Sequence, residues 1–332
     1  MYNSNQYIGK MGSQALHGIG NVGNTCYAAS VFQAIGHSKI FLKWLFGTPQ
    51  KGPLAKATKD LLLDVWAISG HKPNIKNVFE KISNCYMNLL TQNDAQEFLM
   101  LVINQILEEN AINITLTSKL SKDLNTKMDM LWQISVAKYQ NLAQLLHGQM
   151  VVQTTCGNCK SFYHTSDIFL TLSLDIPAVD GVPDLNQCIK HTFSDELITD
   201  GLKCDKCGHI ATSECPAVKS IRFWRLPSVL IISLRRFARN GTKNSARIHI
   251  NEEVDMSEWV CKLNQKDAHN VYKIRSIVAH IGSTWGGHYT AFCKSLTENK
   301  WTMYDDDVFT EIQDSTLHKV QQSSYLIVYD TT

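Results

Sequence analysis

Apolar positions divide the chain into two parts with different periods. Up to about residue 146 they recur at helical spacing. The clearest case is NDAQEFLMLVINQILEEN (93–110), where Ala95, Phe98, Leu99, Val102, Ile103, Ile106 and Leu107 fall at i, i+3, i+4, i+7, i+8 and onward. Such a stripe buries one broad face of a helix. Asn93 with Gln96, or Asp94 with Glu97, supplies a capping arrangement at its start. KATKDLLLDVWAIS (56–69) and NIKNVFEKIS (74–83) are further helical candidates, the second opened by Pro73. Residues 27–45 are apolar and follow a glycine-rich turn, while 111–127 carry the least pattern.

From about Gly148 the signal changes to short runs rich in β-branched and aromatic residues, separated by turn residues. They are GQMVVQTT, SDIFLTLSLDI, AVKSIRFWRL, SVLIISLRRFA, ARIHINEEV, VYKIRSIVAHIG, GHYTAFCKS, KWTMYDD and SYLIVYD, interrupted by one short helix, DLNQCIKHTF. Helices first and strands later predict an α+β protein with a largely antiparallel sheet. There is no internal repeat and no low-complexity tract.

The 332 residues, 44% of them apolar, suffice for a sizeable core. A formal net charge of +2 argues against a nucleic-acid footprint or a polybasic membrane patch. The longest apolar runs are strand-sized, and the polar N-terminus MYNSNQYIGKMGSQALHG lacks a signal core. Ten cysteines without such a signal point to metal ligation or catalysis and to a reducing, intracellular compartment.

Two Cys-x-x-Cys knuckles, Cys156–Cys159 and Cys204–Cys207, can aim four thiolates at one point, which predicts a closed, structural tetrahedral zinc site. The long segment between them places both at the tip of a β extension whose strands run out and return. A redox dithiol would need one such pair opening a helix in a βαβ unit, a context neither pair has. Cys85, Cys188, Cys215, Cys261 and Cys293 read as small buried hydrophobes, and His209 as a surface residue beside the second knuckle.

Cys26 is different, because it stands where a glycine-rich turn, GIGNVGNTC, becomes a helix. Unpaired N–H groups there favour a thiolate and are expected to lower the thiol pKa. A cysteine nucleophile needs a base, and the base an orienting group. Among twelve histidines, His288 follows Gly286-Gly287 and opens an apolar strand, and the next strand ends at Asp305-Asp306-Asp307. Adjacent antiparallel strands would set a carboxylate beside the imidazole. A run of Asp is equally a solvated turn. Asn21 can donate to an oxyanion, and is otherwise a loop-forming Asx residue.

The combination resembles the ubiquitin-specific protease family. GIGNVGNTCYAASVFQAI is similar to its cysteine box, GGHYTAFCK with KWTMYDDDVF to its histidine box, and QNDAQEF to its glutamine-aspartate box. LLHGQMVVQTTCGNC resembles the start of its zinc-bearing fingers and LPSVLIISLRRFARN the strand after the second knuckle. The likeness runs from about Gly18 to Tyr329. It implies a papain-like fold with a helical thumb (about 18–146) and β fingers and palm (about 147–332), as one catalytic domain over 18–332 behind an extension, 1–17. It implies Cys26 as nucleophile, His288 as base, Asp305 as third member, Asn21 on the oxyanion side and Asp306 as a second acid. Asp94, Gln92, Gly287 and Tyr289 are the implied substrate contacts, and Cys156, Cys159, Cys204 and Cys207 the zinc ligands. Two departures stand out: Ala28-Ala29-Ser30 replaces the usual Met-Asn-Ser, and Asn93 stands where Gln is usual.

The function expected is a thiol deubiquitinase, a monomer acting on ubiquitin conjugates with no nucleic-acid or membrane partner. The alternatives are a protease for another ubiquitin-like modifier, a non-catalytic ubiquitin-binding module and a zinc-dependent nucleic-acid binder. Intact Cys26, His288 and Asp305 weigh against the second, and the near-neutral charge against the third.

Overall fold

A computed structural model describes residues 15–83, 88–114, 123–238, 240–264, 270–313 and 320–332 of the chain. The apolar run after the glycine-rich turn forms two helices, α1 (Cys26–Ile35) and α2 (Lys39–Gly47). They separate at Gly36, and Ser38 caps the second, its Oγ accepting from the Phe41 N–H at 3.1 Å. All ten residues of α1 are buried, so it shows no polar face. Next come α3 (Pro53–Val65), α4 (Ile75–Phe79, shorter than expected), α5 (Ala95–Asn110), α6 (Leu124–Val136) and α7 (Gln140–Leu146). The seven stripe residues of α5 are all buried. Of the expected extension, 15–17 pack into the body: Ala15 is buried and its carbonyl accepts from the Tyr304 hydroxyl at 2.9 Å.

The remainder is two sheets. The smaller has the order β2-β1-β5-β4, built from β1 (Gly148–Thr155), β2 (Phe162–Phe169), β4 (Glu196–Ile198) and β5 (Ala217–Arg225). The larger has the order β11-β10-β9-β8-β12-β6-β3, with β7 beside β8. Its strands are β3 (Thr171–Leu174), β6 (Val229–Leu234), β7 (Glu253–Asp255), β8 (Val271–Ser283), β9 (Gly286–Lys294), β10 (Trp301–Asp305), β11 (Val308–Ile312) and β12 (Ser324–Thr331). Every pairing among the named strands is antiparallel except β3 with β6. Helix α8 (Leu185–Phe193) opens with a capping box between Asp184 and Gln187.

Three strand expectations change. SDIFLTLSLDI leaves one sheet and joins the other, breaking at Leu170. ARIHINEEV yields only β7 and an isolated bridge at His249. The reason is the buried Arg236, whose Nη1 donates to the carbonyls of Asn244 and Ala246, both at 2.9 Å, and holds that segment as a loop. β11, mostly exposed, forms as the second arm of a hairpin through Asp306-Asp307, with no apolar alternation to announce it.

One core joins the helices to the near face of the larger sheet, and a second lies on its far face with α8. Helix α1 is thereby wedged between α5 and β9. Cys188 and Cys293 are buried as expected, Cys215 and Cys261 are only half-buried, and Cys85 lies outside the described residues.

Candidate active site

Cys26 is the first residue of α1 and only 4% exposed. The turn before it is organised by Asn21, whose Oδ1 accepts from the N–H of Gly23 and of Thr25, both at 3.0 Å, and from the Thr25 hydroxyl at 3.2 Å. Burial pushes the Cys26 thiol above its ordinary range, and the Asp306 charge adds to this. Hydrogen bonds from the backbone of Tyr289 and Tyr27 oppose the shift without cancelling it. The lowering expected of a helix N-terminus is therefore reversed. Desolvation of a thiolate costs more here than a few backbone dipoles return.

His288 lies on β9 and Asp305 ends β10, the neighbouring antiparallel strand. His288 Nε2 is 2.5 Å from Asp305 Oδ1, and both side chains are about two-fifths exposed, 41% and 43%. The next acid stays within 4.8 Å of this pair but bonds to the cysteine loop. Asp306 has φ +52° and its Oδ2 accepts from Asn21 Nδ2 at 3.0 Å. Its other oxygen, Oδ1, is buried with no hydrogen-bond partner among the described residues, and burial raises its carboxyl pKa against the pull of Asn21. The acidic turn is held against the cysteine loop by the Ile19 N–H, which donates to the Asp306 carbonyl at 2.8 Å. That approach requires glycine next door. A Cβ on Gly18 would stand 2.4 Å from the carbonyl oxygen of Asp306 and from the backbone of Asp307. Asp307 itself is exposed.

Asp94 caps α5, its Oδ1 accepting from the N–H of Gln96 (2.8 Å) and Glu97 (3.0 Å). Its Oδ2 accepts from the Tyr325 hydroxyl at 2.7 Å, tying the helices to β12. Gln92 reaches across to β9: Nε2 donates to the Gly287 carbonyl at 3.0 Å and Oε1 accepts from its N–H at 3.3 Å. Asn93 instead folds back on its own loop, donating to the carbonyls of Asn88 and Thr91. Cys26, Gln92, Asp94, Gly287 and Tyr289 together border a cavity of about 280 Å³. Sequence reasoning missed two other residues on its wall, His280 and Trp285. The first reads as an apolar-strand residue and the second as a turn residue, yet the indole is 89% exposed at the cavity mouth. The available signal for His280 was its place across the hairpin from Tyr289.

A second constellation lies at the connections of the smaller sheet. Cys156, Cys159, Cys204 and Cys207 bring their sulfurs within 4.8 Å of one another and are positioned to bind one metal ion. Two separations, Cys159–Cys204 at 3.7 Å and Cys156–Cys207 at 3.9 Å, match the edge of a sulfur tetrahedron, about 3.8 Å for Zn–S bonds of about 2.3 Å. The knuckles are closed by the Cys156 N–H to the Ser161 carbonyl and the Cys204 N–H to the His209 carbonyl, both 2.8 Å. Hydrogen bonding from Ser161, with backbone N–H groups, brings the Cys204 thiol down to about 6. His209 lies outside the cluster, its Nε2 3.3 Å from the Cys215 carbonyl.

Comparison with known proteins follows the same lines. A family model described as Ubiquitin carboxyl-terminal hydrolase matches residues 17–329. Ubiquitin carboxyl-terminal hydrolase Usp2 of Drosophila melanogaster is 27% identical over 340 residues, covering 96% of this chain and 35% of the relative. Human ubiquitin carboxyl-terminal hydrolase 2 is 25% identical, covering 96% and 55%. The chain thus spans about a third to a half of these relatives' length. Among solved structures, the SAGA Ubp8/Sgf11/Sus1/Sgf73 DUB module bound to ubiquitin aldehyde contains a chain that superposes with a TM-score of 0.74 at 22% identity, over 96% of this chain and 70% of that one. This likeness establishes the shared fold.

Proposed function

The chain belongs to the ubiquitin carboxyl-terminal hydrolase family, and on that premise we propose that it is a thiol-dependent deubiquitinase cleaving the peptide or isopeptide bond after the terminal glycine of ubiquitin. The observation that carries this reading is the 2.5 Å contact of His288 with Asp305 at the end of the sheet against which Cys26 is buried. Asp305 occupies Nε2, which leaves Nδ1 to exchange protons with the thiol.

In the free protein burial favours the protonated thiol. Cys26 Sγ then attacks the glycine carbonyl carbon as His288 takes its proton. The resulting oxyanion is met by the second Nδ2–H of Asn21 and by backbone N–H groups at the start of α1. As the carbon–nitrogen bond breaks, His288 returns the proton to the leaving lysine amine. Water, deprotonated by His288, then hydrolyses the thioester. Asp94, Gln92, Gly287 and Tyr289 border the cavity that receives the tail.

The four-thiol site suits zinc held by Cys156, Cys159, Cys204 and Cys207. With four protein ligands it has no open position for substrate, and bound zinc contributes folding free energy and a cross-link between the β1–β2 and β4–β5 connections. The reading includes one catalytic domain over 18–332, a monomer and an intracellular location.

The test is exposure of the protein to C-terminal electrophilic probes of ubiquitin and of its relatives, with the adduct located by mass spectrometry. An adduct with the ubiquitin probe on Cys26, abolished in Cys26→Ala while ubiquitin binding persists, is expected. Exclusive reaction with a different modifier, or adducts on another cysteine, would overturn the reading.

A further inference from the structure

His280 sits on β8, across the hairpin from Tyr289, with ring centroids 4.5 Å apart. It is 5% exposed, and its ring hydrogen bond among the described residues runs through Nδ1, not Nε2. Nε2 points to where a Gly287 side chain would be. A Cβ there would stand 2.4 Å from His280 Nε2 and 2.4 Å from the Ile281 carbonyl oxygen, so glycine opens this wall of the cavity that Cys26 borders. The other ring nitrogen is engaged. Lys243 Nζ lies 3.0 Å from His280 Nδ1, 2.7 Å from the His280 carbonyl and 3.0 Å from the Gly282 carbonyl. Lys243 is itself held by its backbone bridge to Phe237.

An ammonium has three protons and no lone pair. Three acceptors converge on this one, two of them carbonyls, and the third must be Nδ1 as a lone pair. An Nδ1–H would set two donors against each other. The imidazole proton therefore sits on Nε2. We propose that Lys243 locks His280 as its Nε2–H tautomer, so that the ring presents a fixed, uncharged donor to the backbone of the substrate tail beside Cys26. Burial, with the Lys243 and His288 charges, keeps the ring neutral by pushing its pKa down to about 4. A neutral donor suits an uncharged backbone carbonyl, because it need not shed a hydration shell as an imidazolium would. Lys243 is thus a positioning residue and His280 a substrate contact, in an arrangement separate from the His288–Asp305 pair. The donor role rests on the deubiquitinase reading; the tautomer lock does not.

Two measurements test it. Long-range proton–nitrogen NMR on histidine-labelled protein, with His280 assigned from the His280→Gln spectrum, is expected to show protonated Nε2 and bare Nδ1, and mixed tautomers in Lys243→Met. A proton on Nδ1 in the wild type would overturn the lock. Steady-state kinetics on a ubiquitin C-terminal amide form the second arm. His280→Leu should lower kcat/KM about tenfold, chiefly through KM, as loss of one neutral hydrogen bond predicts. His280→Gln, which keeps an N–H donor near Nε2, should recover most of that loss. His280→Leu within twofold of wild type, with dispersed spectra showing it folded, would overturn the donor role. If wild type does not turn over ubiquitin, the deubiquitinase reading and the donor role fall together, while the NMR arm still decides the lock.

Discussion

Replacing Asp305 by Ala removes the one side-chain hydrogen-bond partner that His288 has among the described residues, a contact of 2.5 Å. A hydrogen bond to a charged group is worth about 1.5–3 kcal/mol, or about 10- to 150-fold in rate if it is made fully only when the imidazole carries a proton. Loss of the orienting acid in a buried triad costs about four orders of magnitude. Here the pair is 41% and 43% exposed, so water replaces part of the lost bond and the lower range applies. We expect kcat/KM to fall about 10- to 100-fold, with KM little changed because Asp305 does not border the cavity. Asp306→Ala should cost less than about tenfold. Its carboxylate acts through Asn21, and Asn21 stays anchored by three hydrogen bonds to Gly23 and Thr25 without it. Asp307→Ala, at an exposed position, should be near neutral. Initial rates of all three single variants on one fluorogenic ubiquitin amide, each checked for an unchanged melting temperature, decide the order. If Asp306→Ala proves as damaging as Asp305→Ala, the orienting role has been given to the wrong acid.

The raised Cys26 thiol predicts that iodoacetamide alkylates the free protein ever faster as pH rises, with a midpoint above that of an unperturbed thiol; a plateau already reached below neutrality would instead reveal a preformed thiolate. Cys204→Ser should lose the bound metal and lower the melting temperature more than it changes kcat, and elemental analysis of native protein without zinc would refute the metal assignment. Gly18→Ala forces a Cβ to within 2.4 Å of the Asp306 carbonyl oxygen, so the acidic turn must shift; we expect a stability loss of about 1–3 kcal/mol in denaturant melts together with lower kcat, and wild-type values for both would show that the turn has slack.

Local physics made much of the fold readable from the chain. The α5 stripe, the Asp94 cap, the short helix α8 and the β-branched runs of β1, β6, β8 and β12 each declare themselves within a few residues, because helix period, caps and pleat alternation are short-range. The knuckles are equally local, since two thiols three positions apart already converge. Reading failed where a distant group intervened. The guanidinium of Arg236 turned the β-like ARIHI into a loop, and the Asp306-Asp307 turn created β11 from residues with no apolar alternation.

The sequence by itself therefore determined the class of structure, the helix and strand periods, and the residue types available for thiol chemistry and metal binding. What each of those residues meets was left to tertiary structure. Position 305 meets His288 and position 306 meets Asn21 only because the chain turns through φ +52° between them. The cysteine at a helix start is a raised thiol because the sheet buries it, a quantity with no local signature. Asp94 is at once a helix cap and the anchor of Tyr325, and His280 meets Lys243 from 37 residues away. Desolvation and long-range hydrogen bonds depend on which surfaces come together. They are properties of the packed chain, and no window of neighbouring residues contains them.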